Sequence, residues 1–108
     1  MYHYSAYIKE VYDGDTVKAI VDLGFARYEE ITLQLYGVNA SQFEEDAFLR
    51  RTEAKEVLRD LILNQEVEVY TFKGSQSKFG AYQATVIMDG LDVNQWMVQN
   101  KVARQYSA

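Results

Sequence analysis

Two runs of strand-forming residues meet at Asp13-Gly14, and this junction constrains the fold more than any other feature of the chain. Tyr4 to Tyr12 (Tyr-Ser-Ala-Tyr-Ile-Lys-Glu-Val-Tyr) is rich in aromatic and β-branched residues, and Thr16 to Leu23 alternates β-branched with polar ones. Asp-Gly is the turn that a tight hairpin favours, because glycine tolerates positive φ. The alternation breaks at Leu23-Gly24-Phe25 and resumes from Glu30 to Val38. Ile31, Leu33 and Leu35 then fall on one side, and Thr32, Gln34 and Tyr36 on the other. Three antiparallel strands are expected in the first third of the chain.

From about Ala47 to Leu63 the period becomes helical. Ala54, Val57, Leu58, Leu61 and Ile62 recur at i, i+3, i+4, i+7 and i+8, with Lys55, Glu56, Arg59 and Asp60 on the solvated face. Glu66 to Phe72 reads as a fourth strand, Lys73 to Lys78 as a polar loop, and Ala84 to Met88 as a fifth strand closed by Asp89-Gly90. Val93, Trp96 and Met97 mark a second short helix ending near Asn100, its Trp and Met assigned to the core. The order β-β-β-α-β-β-α predicts a mainly β protein with two helices (α+β), a five-stranded Greek-key barrel of the OB type. At 108 residues the chain is one domain, 1–108, large enough to bury roughly two-thirds of its unfolded surface.

Charge and residue usage narrow the function. With no cysteine, disulfides and thiolate metal sites are excluded. No apolar run approaches the roughly 20 residues of a membrane span, and no membrane partner is expected. Met1-Tyr2-His3-Tyr4 lacks the pattern of a signal peptide, so the default location is cytoplasmic. His3, the sole histidine, is expected in a frayed terminus without a role. The net charge of −5 disfavours a phosphate-backbone binder, which gains affinity by counterion release around lysine and arginine.

Four blocks carry a family resemblance: Tyr12-Asp13-Gly14-Asp15-Thr16-Val17, Gln34-Leu35-Tyr36-Gly37-Val38-Asn39-Ala40, Lys78-Phe79-Gly80, and Asp89-Gly90-Leu91-Asp92-Val93-Asn94. In order and spacing they resemble the staphylococcal nuclease-like (thermonuclease) domain, from about Tyr4 to Tyr106, closest to its short bacterial and phage members. The resemblance implies a calcium ion that polarises a scissile phosphate as a Lewis acid, a glutamate that acts on the attacking water, and two arginines whose guanidinium forks match phosphate geometry. Carried over position by position, the metal ligands are Asp15 and Asn39, with Asp13 a neighbouring acid. The arginine positions are Gln34 and Ala81, and the glutamate position is Gln42, after Ser41 where the family usually has proline.

None of the implied catalytic groups is therefore intact. A missing transition-state donor costs roughly 3–4 kcal/mol, so two absent arginines cost on the order of 10⁴–10⁶ in rate. Loss of the base adds about 10²–10⁴. Asp15, Asn39 and Asp13 form a vestigial ligand set, expected to hold calcium weakly, because a hard cation prefers several anionic oxygens. The expected function is a catalytically inactive nuclease-like module that binds single-stranded DNA or RNA, or a protein. Tyr36, Phe79 and Tyr82 would stack on bases, with Lys18 and Lys78 on phosphate. The alternative is a weak or altered metal-dependent nuclease using displaced residues: Glu44 or Glu45 as base, and Arg27, Arg50 or Arg51 towards phosphate. Against it, these five read as solvated surface charges.

Overall fold

A computed structural model describes residues 2–39, 47–72, 80–99 and 104–105, with the backbone alone described at 39, 47–53 and 104–105. The elements run β1 (Tyr2–Asp13), β2 (Thr16–Gly24), β3 (Arg27–Leu35), β4 (Val38–Asn39), α1 (Ala47–Ile62), β5 (Glu66–Thr71), β6 (Tyr82–Met88), β7 (Leu91–Asp92), α2 (Val93–Gln99) and β8 (Arg104–Gln105). The main sheet has the order β3-β2-β1-β5-β6-β7. A parallel pairing of β3 with β6, Leu33 opposite Tyr82 and Leu35 opposite Ala84, closes β1, β2, β3, β5 and β6 into the expected five-stranded barrel. The short strands β4, β7 and β8 carry no sequence period and were not expected. Among the described residues no helix is long and apolar enough to cross a membrane.

Inward rows make the core. Ile8, Val17, Ala19, Leu33, Leu35, Val69 and Val86 fill the barrel, and Ala54, Leu58 and Ile62 of α1 pack against them as one stripe of the helix. Val93 and Met97 of α2 join this core, while Trp96 packs at its margin. The first helix stops at Asn64, whose φ of 60° is the left-handed conformation that asparagine accepts at a helix end. Asp92 caps α2, its Oδ1 accepting from the amide of Gln95 at 3.0 Å.

Several local expectations are corrected. β1 begins at Tyr2, so His3 lies in a strand; its ring stacks on Tyr70 with centroids 4.4 Å apart, and Nε2 lies 3.1 Å from Glu68 Oε1. The third strand starts at Arg27 and ends at Leu35, leaving Val38 to a separate pairing with Gln105. β6 starts at Tyr82 rather than Ala84. The Lys73–Lys78 loop lies outside the described residues.

The two hairpins exchange their expected turn chemistry. Asp13 pairs with Thr16, so the first turn is centred on Gly14-Asp15, and Gly14 is not among the described residues with positive φ. Asp13 Oδ1 instead accepts from the Gly14 amide at 2.7 Å, fixing the turn through a side chain. Left-handed backbone falls at the β2–β3 turn, where Phe25 (φ 54°) and Ala26 (φ 59°) both adopt it. Such a turn matches strand twist but opposes Cβ, a cost of about 1–2 kcal/mol per residue. Ala26→Gly is expected to raise the unfolding free energy by about 0.5–1 kcal/mol after the entropic cost of glycine, read as a higher urea midpoint at unchanged slope.

Candidate functional site

Among the described residues only two polar side chains are buried, Asp15 and Asn94, and both brace the region to which the sequence motifs map. Asp15 is the second central residue of the first turn. Its carbonyl accepts from the Leu35 amide at 2.7 Å, and its Oδ1 accepts from Thr16 Oγ1 at 2.9 Å. The end of β3 is thereby tied to the start of β2. Asn94 ties the same end to β6 and α2: its Nδ2 donates to the carbonyls of Tyr36 and Ala84, each at 2.9 Å, and its Oδ1 accepts from the Val86 amide at 3.1 Å. The Asp-Gly-Leu-Asp-Val-Asn block is thus a device that locks the barrel seam; the sequence marked it without revealing that role.

The outward row over that seam is neutral. Gln34 lies opposite Thr16 on one side and Gln83 on the other, and Ala81 precedes Gln83 by two residues on the same side of β6. Tyr36 is 42 % exposed and its ring meets Phe72, 43 % exposed, edge-on with centroids 5.7 Å apart. The structure therefore brings Gln34, Ala81 and Tyr36 together on one face, with Gln83 and Phe72 as members that sequence reasoning did not include. Their signal was available in parity alone: Gln83 and Ala81 alternate with the buried Ala84, and Phe72 extends the outward row of Tyr70.

Tyr82 pairs with Leu33, shares the inward row of Ala84 and Val86 and lines the barrel mouth. Phe72 lines the same mouth and meets the Tyr36 ring, so it stands between the two tyrosines. Arg27 stands at the far end of β3 from Gln34, roughly 20 Å along the strand, which removes it as a substitute for an arginine at that position. Gln42, Glu44, Glu45, Lys78 and Phe79 lie outside the described residues, as do the side chains of Asn39, Arg50 and Arg51.

The side chain of Asn39, the second expected ligand, lies outside the described residues. No group of three or more acidic or histidine side chains converges among them. One Asp13 oxygen is turned back onto the Gly14 amide, and the Asp15 carboxylate offers two oxygens against the six to eight that calcium takes.

Charge elsewhere is largely acidic. An outer groove of about 570 Å³ over β1, β2, β5 and β6 is lined by Asp22, Glu66, Glu68 and Asp89 with Tyr7 and Tyr28, and by no described lysine or arginine. On the β1–β2–β3 exterior, Lys9 pairs with Glu30 and holds its carboxyl below the usual range. Lys18 sits over the Tyr12 ring, 5.7 Å from its centroid; a hydrogen bond to Tyr12 raises its pKa above the ordinary lysine value.

The architecture is that of an OB-type barrel whose seam carries a neutral, aromatic surface. No protein-family model matches the chain. No curated protein matches it either.

Proposed function

We propose that this chain is a staphylococcal-nuclease-like barrel that does not hydrolyse phosphodiesters and serves as a binding module for a protein. The observation that carries this reading is the surface of Gln34, Gln83, Thr16, Tyr36 and Phe72, which is polar or aromatic but uncharged, beside a buried Asp15 already engaged with Thr16. Aromatic enrichment with depletion of charge is the compositional mark of the centre of a protein interface. Hydrolysis of the family's kind needs charge at those positions, and phosphate binding needs cations, which this surface does not supply at Gln34, Gln83, Thr16, Tyr36 or Phe72.

A second reading is favoured by the edge-to-face pair of Tyr36 and Phe72 with Lys18 on the adjoining strand: a single strand of nucleic acid stacked on these rings. One experiment separates the possibilities. The chain, titrated with single-stranded DNA and RNA in calcium at 50 and 200 mM salt, is expected to show neither cleavage nor salt-sensitive binding. Salt-sensitive binding replaces the protein reading with the nucleic-acid one. Calcium-dependent cleavage that vanishes in Asp15→Ala establishes a displaced-residue nuclease and overturns both.

A further inference from the structure

The β2–β3 hairpin ends in an aromatic knob that none of the described residues covers. Phe25 is 99 % exposed at a φ of 54°, a conformation that a bulky side chain rarely adopts, and Leu23 and Tyr28 beside it are 40 % and 66 % exposed. An apolar ring held clear of the surface on strained backbone is a feature that calls for a partner.

A receptor for such a ring lies next to it. The inward rows of the barrel continue past the core into an open mouth of about 390 Å³, floored by Val21, Leu33 and Val69 and walled by Tyr4, Phe72 and Tyr82. On β3 the row Leu35, Leu33, Ile31 passes from buried to half-buried and ends on Glu29, the sole charged residue among the described ones that line the mouth. Neither Glu29 nor Arg27 forms an ion pair among the described residues.

We propose that the chain self-associates as a two-fold dimer in which Phe25 of each copy enters the barrel mouth of the other and Arg27 pairs with Glu29 across the contact. This deepens the protein-binding reading by making a second copy the partner. The symmetry follows from placement. Leu23 and Glu29 line the mouth, while Phe25 and Arg27 stand two residues further along the same two strands. Knob and receptor are therefore adjacent, and a single isologous contact engages both pairs at once. The tip brings a cation and the mouth an anion, and each contact removes an exposed ring from water. Two rings of about 150–250 Å² each fall well short of the roughly 1,600 Å² of a standard interface. The dimer is accordingly of the weak, transient class.

Sedimentation equilibrium of the full chain tests this. The wild type is expected to show a concentration-dependent dimer. Phe25→Asn suits left-handed backbone, so it keeps the hairpin while removing the ring, and should raise the dissociation constant at least tenfold. Arg27→Glu and Glu29→Arg, each alone, oppose like charges at both contacts and should weaken the dimer about tenfold. The exchange of both in one chain, or an equimolar mixture of the two single variants, restores complementary pairs and should return it to within about threefold. A wild type that stays monomeric at about 1 mM overturns the proposal, as does a dimer indifferent to Phe25→Asn or not recovered by the charge exchange. Monomeric behaviour leaves the non-hydrolytic reading standing, whereas calcium-dependent cleavage overturns that reading and leaves the dimer untouched.

Discussion

Replacing Asn94 with alanine is expected to lower the unfolding free energy by about 2–4 kcal/mol, a large share of the roughly 5–15 kcal/mol that holds a domain of this size. One buried side chain meets two carbonyls and one amide, those of Tyr36, Ala84 and Val86. The Ala84 carbonyl keeps the Tyr36 amide as a donor, whereas the Val86 amide and the Tyr36 carbonyl lose their side-chain partner, at about 1–3 kcal/mol each. Their location raises the consequence further. β3 and β6 close the barrel by a parallel pairing of only three registered positions, and Asn94 bridges the chain just beyond β3 to β6 while anchoring α2 beneath. Urea unfolding measures the loss. Asn94→Asp sharpens the interpretation: its carboxylate still accepts from the Val86 amide but turns like partial charge on two carbonyl oxygens. Its carboxyl should therefore titrate above the ordinary range in the folded state, and stability lost at neutral pH should return as the pH falls through that value. A loss below about 1 kcal/mol for Asn94→Ala would show that water replaces the amide and that the seam does not depend on it.

How much of this was legible in the sequence depends on the range of the signal. Local periodicity was reliable: Ile31, Leu33 and Leu35 were placed on one side, and Leu33 and Leu35 are 2 % and 1 % exposed. Ala54, Leu58 and Ile62 were placed on the inner stripe of α1, and all are fully buried. Boundaries were less so, because alternation has no marker for where pairing stops; Arg27 to Glu29 pair with β2 although their composition is polar. Turn chemistry misled twice. Phe25-Ala26 contains neither glycine nor asparagine, yet both residues adopt positive φ, because Gly24 to Arg27 must satisfy the twist of two long strands. Conversely, Gly14 follows an aspartate whose side chain fixes the turn.

The candidate site shows the same division. Gln34 and Tyr36 were placed on the outward side of β3 by alternation; parity puts Gln83 and Phe72 on the outward side of their own segments, but only the non-local β3–β6 and β5–β6 pairings bring them beside Gln34 and Tyr36. Tyr82 was grouped with Tyr36 on aromatic character, but the register with Leu33 sends it inward. A buried asparagine reads from sequence as one more polar residue near a helix start; its three partners come from one strand, β6, and from the turn after β3, far away in the chain.

The second large effect is a gain. Gln34→Arg, Gln42→Glu and Ala81→Arg, combined with Asn39→Asp to give a hard cation a second anionic oxygen, are expected to raise calcium-dependent cleavage of single-stranded DNA by on the order of 10⁴–10⁶ over the wild type. Two guanidinium donors at roughly 3–4 kcal/mol each would supply most of that factor. The lower range is the appropriate expectation because groups that act as a unit do not add independently; Gln34→Arg alone should change the rate little. The fold accommodates the additions. Gln34 lies on β3 and Ala81 just before the adjacent β6, both half-buried, so a guanidinium reaches solvent without leaving a charge in the core. Asp15→Ala in the same background is expected to abolish the gain, because the proposed correspondence puts that residue at the metal position. Circular dichroism and urea unfolding of the combined variant guard against trivial failure. If it folds with native stability and still does not cleave, the correspondence of Gln34, Gln42 and Ala81 to the family's catalytic positions is wrong, and the Asp-Gly-Asp turn marks a way of building the barrel rather than the remains of a nuclease.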